Sequence, residues 1–392
     1  MRQFYDRAKF CLLALTFPAV TVGLSVGRAP GFMQAVVLQV PQNERCWVDH
    51  AYSNHSGIDF AASISIATLP KPQLSDPSTA LVRVAASTVN PADWEGRDCG
   101  SDPSIPGLDV AGIIEETTRG CHLRAGGAVW GMGYGGCNAE YVVVPCSRLA
   151  LKPPSLTLAQ AAAVPTVALT SLKAFQRVGA PWHSKPTVLI TAGAGGVGSV
   201  AIQLAKALGA GLVVTTCSPE HESFVMSLGA DRTIDYHTSN WWETLEPGSV
   251  DVILDVIPQY GDGKHAEQTL AHHGQYLQLL YFGLDVEDPT HCKALNFMRY
   301  GEPDVRNMCT SLARSDISLL DWELHAWDST DLDFLGDLVA QEKLAPVIDS
   351  VYDFHDASQV FEASQRGHST GKLVIQFAHP PASALHRRSK LA

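Results

Sequence analysis

Three glycines at positions 193, 195 and 198 stand with Gly-x-Gly-x-x-Gly spacing in the run Val188-Leu189-Ile190-Thr191-Ala192-Gly193-Ala194-Gly195-Gly196-Val197-Gly198. Glycines at these places permit a tight turn and let the backbone approach a pyrophosphate. Free N–H groups at the start of a following helix then meet its negative charge. The pattern is weak alone, and a tight turn without a ligand is the plain alternative. Here an apolar strand precedes it, and Val200, Ala201, Leu204, Ala205 and Leu208 follow on one helical face before Gly209. That context favours a dinucleotide held by the backbone of Gly193, Ala194, Gly195, Gly196, Val197 and Gly198.

A NAD site usually places a carboxylate at the end of the second strand, about 20 residues after the first glycine. That strand ends here in Thr215-Thr216-Cys217-Ser218, without one. An adenosine phosphate would not be repelled, and Ser218 could donate to it, so the reading is NADPH. Ser218 also fits as the N-cap of a helix opening at Pro219. Glu220 and Glu222 weigh against a phosphate, and no Lys or Arg stands nearby in sequence.

These residues need a scaffold. From Met33 to about Pro154 short β-rich runs are cut by Gly and Pro: Ala80–Ser87, Val110–Glu115, Ala128–Trp130 and Glu140–Val144. They predict a compact, barrel-like β domain. Ala159 to Val178 reads as helix. Strand and helix patterns then alternate: strands at Thr187–Thr191, Leu212–Thr216, Thr233–Asp235, Val250–Ile257 and Gln275–Phe282, with helices at Ser199–Leu208, Pro219–Leu228 and Gly263–His272 between them. Such alternation predicts an α/β fold with a doubly wound parallel sheet. Residues 289–327 resist assignment. A helix at Asp331–Lys343, a strand at Val347–Tyr352, a helix at Ala357–Arg366 and a strand at Lys372–Phe377 close the chain.

The 392 residues carry a net charge of −12, and basic residues concentrate at the two ends, leaving the body more acidic still. Broad binding to nucleic acid or to an anionic membrane is therefore not expected. Nine cysteines are scattered, with no Cys-x-x-Cys, so neither a zinc ribbon nor a dense disulfide framework is expected and a reduced compartment is the plain reading. Residues 1–32 form a leader or targeting segment. The apolar stretch 10–26 with basic residues ahead of it leaves three readings open: a signal peptide or membrane-associating segment, an organelle presequence, or translation starting at Met33. Asn54-His55-Ser56 would matter as a glycosylation site only in a secreted chain.

The order of motifs resembles the medium-chain dehydrogenase/reductase superfamily from about Met33 to Phe377. The residues that carry it are Val82 to Asp93, ending in Asn90-Pro91-Ala92-Asp93, then Pro106-Gly107-Leu108-Asp109-Val110-Ala111-Gly112, Ala139-Glu140-Tyr141-Val142, Ala161 to Pro165 with Ala168-Leu169-Thr170, and Gly367 to Ile375. Within it the chain is most similar to zinc-free quinone oxidoreductases, especially the reticulon-interacting mitochondrial oxidoreductases, through Cys46-Trp47-Val48-Asp49, Thr215 to Ser218, Leu228 to Asp231 and Leu344 to Ile348. Fungal trans-acting enoyl reductases, which share Cys217-Ser218-Pro219, are next. The zinc branch has a Cys shortly before the Asn90 segment and a His-Glu pair where Leu108-Asp109 stands, and neither is present.

The resemblance implies a GroES-like catalytic domain over 33–158 completed by 345–378, a Rossmann NADP-binding domain over 159–344, and a tail over 379–392. It implies that Asn90 lies beside nicotinamide and substrate, that Thr170 faces the nicotinamide, that Tyr236 lies at the adenosine 2′-phosphate and that Lys372 is near the cofactor. His221 stands where the family often has Lys. The activity implied is hydride transfer from NADPH to a quinone or an α,β-unsaturated carbonyl without zinc, in a homodimer and in mitochondria. The alternatives are a trans-acting enoyl reductase of a biosynthetic pathway and a non-catalytic NADPH-binding assembly partner. A cytoplasmic location follows if Met33 is the start, and a secretory one if residues 1–27 are a signal peptide.

Overall fold

The structure is a computed structural model, and it describes residues 31–38, 63–95, 104–257, 262–279, 318–319 and 328–377. The expectations for the leader, Cys46 to Asp49, Asn54, most of 289–327 and the tail lie outside the described residues.

In chain order, the first half gives β1 (Phe32–Leu38), β2 (Ile64–Pro70), β3 (Thr79–Val89), α1 (Ala92–Glu95), β4 (Asp109–Thr117), β5 (Ala128–Met132), β6 (Tyr141–Pro145), β7 (Leu149–Leu151), α2 (Leu158–Ala162) and α3 (Pro165–Arg177). The nucleotide half gives β8 (Thr187–Ile190), α4 (Gly196–Ala207), β9 (Leu212–Cys217), α5 (Glu222–Ser227), β10 (Arg232–Asp235), α6 (Trp241–Thr244), β11 (Val250–Asp255), α7 (Asp262–Thr269), β12 (Leu270–Gln278) and β13 (Ser318–Leu319). The chain then runs through α8 (Ser329–Ala340), β14 (Ile348–Asp353), α9 (Ala357–Arg366) and β15 (Lys372–Gln376).

Two large sheets result. One has six strands in the order β10-β9-β8-β11-β12-β13, all parallel. Its central strand β8 buries Val188, Leu189 and Ile190 completely, as a strand covered on both faces must. The other has seven strands in the order β14-β15-β3-β4-β5-β7, with β6 also on β3. β3 alternates Ala80, Val82, Val84 and Ala86 into the core. β15 enters between β14 and β3, so residues near the C-terminus complete a sheet begun near the N-terminus.

Helix α3 joins the two halves. Ten of its 13 residues are buried, and it packs on α4 on one side and on β4 and β5 on the other. One apolar core accordingly runs from Ala111 and Trp130 of the β-rich sheet through Leu169 and Leu172 to Val188 and Ile190. At the end of α4, Gly209 takes a left-handed φ of +100°. The Ala210 N–H then bonds to the Ala205 carbonyl and the Gly209 N–H to the Lys206 carbonyl, the paired bonds that close a helix at glycine.

Several expectations are corrected. The segment expected as one helix over Pro219–Leu228 divides into a 3-10 turn, Pro219–His221, and α5 from Glu222. The helix expected to reach His272 stops at Thr269, and β12 begins at Leu270. His272 and His273 are therefore exposed strand residues. Cys121 and Cys146 form a disulfide across 25 residues, which the plain reading of a reduced compartment did not anticipate. Both sulfur-bearing loops converge on Ser78: its N–H bonds to the Arg119 carbonyl, and its carbonyl accepts the Cys146 N–H. Sequence spacing gives no sign of that convergence, because β5 and β6 lie between.

Candidate active site

At the end of β8 the chain turns sharply. Ala192 adopts φ +53°, held by its N–H on Thr216 Oγ1 at 2.9 Å and by the Gly193 N–H on the Thr216 carbonyl. A Cβ on Gly193 would lie 2.1 Å from Thr215 Oγ1, and one on Gly198 would lie 2.1 Å from the Ala192 carbonyl oxygen. Those two glycines let the turn lie on β9 and the helix lie on the turn. Gly195 differs: a Cβ there would meet only the Ala192 carbonyl oxygen, at 3.4 Å. Its open side is a cradle that a methyl group would fill. α4 starts at Gly196 with no side-chain cap, so the N–H groups of Gly196, Val197 and Gly198 have no partner within the helix. An unfilled glycine face beside uncapped N–H groups fits a pyrophosphate.

The turn is stitched to the other sheet. The Gly371 N–H donates to the Ala194 carbonyl at 2.9 Å, and Gly195 and Gly371 form a parallel bridge. A Cβ on Gly371, at φ +91°, would lie 2.4 Å from Val347 Cγ1, so this contact requires glycine. The next residue, Lys372, leads from the turn to a second cluster, its Cδ lying 3.1 Å from where a Cβ on Gly196 would be.

That second cluster centres on Asp109, the first residue of β4 and wholly buried. Its Oδ1 accepts the Thr166 N–H at 2.7 Å, which gives α3 the cap that its own Val164 cannot supply. Its Oδ2 accepts from Thr88 Oγ1 and from Asn90 Nδ2 at 3.0 Å, and the Lys372 ammonium lies 3.5 Å away. Lys372 Nζ also donates to Asn90 Oδ1. Asn90 is thus held at both ends of its amide. Its backbone closes a turn through Pro91: the Asp93 N–H donates to the Asn90 carbonyl, and the Asn90 N–H donates to Asp93 Oδ2 at 2.7 Å.

Burial pushes the Asp93 carboxyl up to about 7, with the charge of Asp109 adding; the Asn90 N–H and Lys372 oppose it. Burial likewise raises the neighbouring Cys137 thiol, with Asp109 and Asp93 adding. Thr170 is buried one turn beyond Thr166, on the same face of α3. The sequence reading identified Asn90, Thr170 and Lys372 but passed over Asp93 and Asp109. For Asp93 a signal was available: Asn, then Pro, then an acid three residues on, is a helix start whose acid reaches back to the first N–H.

A third group lies at the end of β9. Ser218 does not cap the following helix with its side chain. Its Oγ instead pairs with His221 Nδ1 at 2.8 Å, and His221 Nε2 pairs with Thr370 Oγ1 at 2.8 Å. Tyr236 is 48% exposed and stacks on the His237 ring at 4.2 Å. The corner is also acidic: burial pushes the Cys217 thiol up to about 11, and Glu222, Asp235 and Glu220 add to that shift. The backbone N–H of His237 is the main cause holding the Asp235 carboxyl below its ordinary value.

Among the described residues no three His, Cys, Asp or Glu side chains are grouped to hold a metal ion, and no helix is long and apolar enough to cross a membrane. Residues 76–154 match the family described as alcohol dehydrogenase GroES-like domain, and residues 228–375 match the family described as zinc-binding dehydrogenase. The chain is 28% identical over 367 residues, 85% of it and 86% of the relative, to NAD(P)H oxidoreductase RTN4IP1, mitochondrial, of Drosophila melanogaster. It is 34% identical over 235 residues, 56% of it and 58% of the relative, to NADPH-dependent alkenal/one oxidoreductase, chloroplastic, of Arabidopsis thaliana. The quinone oxidoreductase of Coxiella burnetii superposes with a TM-score of 0.68 at 26% identity, covering 88% of this chain and 99% of that one. With a GroES-like half, a parallel nucleotide-binding half and a last strand that returns to the first sheet, the chain belongs to the medium-chain dehydrogenase/reductase superfamily.

Proposed function

We propose that this chain is an NADPH-dependent reductase of quinones and α,β-unsaturated carbonyls that works without zinc. The observation that carries the reading is the path of Lys372. It begins at a glycine bridged to the pyrophosphate turn and ends on the amide of Asn90. One strand therefore ties the place that would hold the coenzyme's phosphates to the polar cluster where its reactive end would lie.

NADPH, when bound, supplies a hydride to the acceptor. The backbone of Gly193 to Gly198 would hold its pyrophosphate. Ser218, His221 and Tyr236 would hold its 2′-phosphate, and Thr170 would face its nicotinamide. Asn90, fixed by Asp109 and Lys372, presents a preset dipole where negative charge develops on the acceptor oxygen. Most of the acceleration would come from holding donor and acceptor together away from water, an effect worth up to roughly 7–11 kcal/mol in well-oriented systems. A leucine and an aspartate stand where the zinc branch carries His-Glu, and the Asp109 oxygens are spent on four donors of this chain.

The test is direct. The full chain, incubated with NADPH and a panel of quinones and enones, should consume the coenzyme with each acceptor's reduced product appearing in step. NADPH binding without turnover of any acceptor would refute the reductase reading. The division into a catalytic domain over 33–158 with 345–378 and a nucleotide domain over 159–344 is part of the same proposal, as are a homodimer and a mitochondrial location. Light scattering of the purified protein and fractionation of the source cells check the last two.

A further inference from the structure

We infer that Asp93 is the proton donor of this site, holding on Oδ1 the proton that completes reduction of the acceptor. This rests on the reductase reading and adds the group that the hydride chemistry alone leaves unnamed.

The argument is an inventory of protons in the buried cluster. Asp109 accepts from Thr88, Asn90 and the Thr166 N–H, and Lys372 lies beside it. Lys372, at 3.5 Å, is the ion-pair partner of that carboxylate. The Lys372 ammonium is committed to Asn90 Oδ1 and, at 3.4 Å, to the Val89 carbonyl. Asp93 is the second carboxyl of the cluster and has no counter-ion of its own. Only 8% of its surface is exposed. Its Oδ2 takes the Asn90 N–H, whereas its Oδ1 has no hydrogen-bond partner among the described residues. A buried carboxylate oxygen without a donor is costly, and a protonated one is not. The groups that face it are Lys372 from β15, Asp109 from β4 and the Cys137 thiol. Burial favours the neutral thiol, and Lys372, which lowers the Asp93 carboxyl, is already shared with Asn90 and Asp109, so burial outweighs it. Burial thus leaves Asp93 with a carboxyl that titrates near 7, the range in which a general acid works best. Thr166 Oγ1, on the residue whose N–H Asp109 accepts, and Asn138 Nδ2, joined to the cluster through Ser87, are also buried without a hydrogen-bond partner among the described residues. Such unpartnered atoms are ones that a reacting oxygen or a water would satisfy.

The step balances. Hydride addition, at the expense of the C4–H bond of NADPH, which would be oxidised to NADP+, forms a new C–H bond on the acceptor, reduces it and moves its π electron pair onto the carbonyl oxygen. The Asp93 O–H bond then breaks, its proton passes to that oxygen directly or through one water, and the carboxylate recovers a proton from solvent.

The bland role for Asp93 is to close the turn at Asn90, and Asp93→Asn separates the two, because its amide oxygen still accepts the Asn90 N–H but the side chain holds no acidic proton. Infrared titration of the full chain without coenzyme should show a protonated carboxyl band that bleaches between pH 6 and 8 and is missing from Asp93→Asn. With NADPH and an acceptor, wild-type kcat should fall about tenfold per pH unit above neutrality and show a solvent deuterium effect. Asp93→Asn should be slower by roughly 10²-fold at pH 7 and flat with pH. A variant that matches wild-type kcat and its pH profile would overturn the inference while leaving the reductase reading intact, and so would a wild-type kcat constant from pH 6 to 9, which needs no variant to fold. The infrared band present with no acceptor turned over would fail the reductase reading instead, and the donor role with it.

Discussion

At His221 both ring nitrogens already have partners, Ser218 Oγ and Thr370 Oγ1. The imidazole is therefore oriented before any ligand arrives, in a corner where Glu220, Glu222 and Asp235 add negative charge. A phosphate at this corner would meet two hydroxyls and one ring, with carboxylates opposing. His221→Lys supplies a permanent charge, so KM for NADPH should fall by about 3- to 10-fold, the equivalent of roughly 1 kcal/mol, with kcat unchanged. An unchanged ratio of NADPH to NADH efficiency would show that the 2′-phosphate lies elsewhere. Asp93 allows a stability prediction of definite sign. Its folded-state carboxyl sits near 7, above the ordinary 3.8. The stabilisation from its protonated form is complete below about pH 3.8 and is lost as pH rises through 7. Asp93→Asn should therefore gain on wild type across that window, and its Tm advantage should be several degrees larger at pH 8 than at pH 5. Equal differences at the two pH values would contradict this. Ser218 was expected at the site from the end of its strand, and His221 and Lys372 from the family resemblance. Asp109 was not, since its four donors come from β3, α3 and β15, and no local pattern announces a meeting of distant segments.

Elements explain why two glycines of one turn should behave differently. Gly198→Ala forces a methyl group to 2.1 Å from the Ala192 carbonyl, with backbone on both sides and nothing flexible to yield. It should cost at least ~2 kcal/mol of stability, measured by denaturant unfolding. Gly195→Ala meets one atom at ordinary contact distance. Its Tm should stay within about a degree of wild type while NADPH affinity falls at least tenfold by calorimetry. Equal loss of stability in both variants would remove the case for a cradle at Gly195. The Cys121–Cys146 bridge closes a loop of 25 residues, for which chain entropy suggests about 3 kcal/mol. Reductant should lower the wild-type Tm by several degrees and shift a Cys121→Ala chain much less. Helices and parallel strands were legible here because buried strands read as apolar runs and α4 carries its stripe. The boundaries near Pro219 and Thr269 were not, since a short 3-10 turn and the pairing of β12 interrupt periodicity over so few residues.

On the scale of the molecule, the two halves are joined by a shared core along α3, by the Gly195–Gly371 bridge and by Lys372. Lys372→Met keeps the length and apolar stem of the side chain but leaves Asp109 without its counter-ion and Asn90 without its donor. Loss of one partner of a buried pair typically costs 3–5 kcal/mol, and the loss should appear in urea unfolding as one cooperative transition for the whole chain. Two separated transitions, with only one displaced, would show that the halves fold independently.

The position of β15 also governs when the protein can exist at all. Lys372 and Val89 are 283 residues apart in the chain, yet β15 lies between β14 and β3 within one sheet. A ribosome emits β3 long before the strand that must lie against it, so the edge of β3 waits uncovered while the nucleotide half is made. That interval exposes hydrogen-bonding groups to any passing strand, which is the moment when a chaperone would matter most. A message cut short anywhere before codon 372 would yield neither a finished sheet nor a working centre, so degradation products of this protein should be inert rather than partly active.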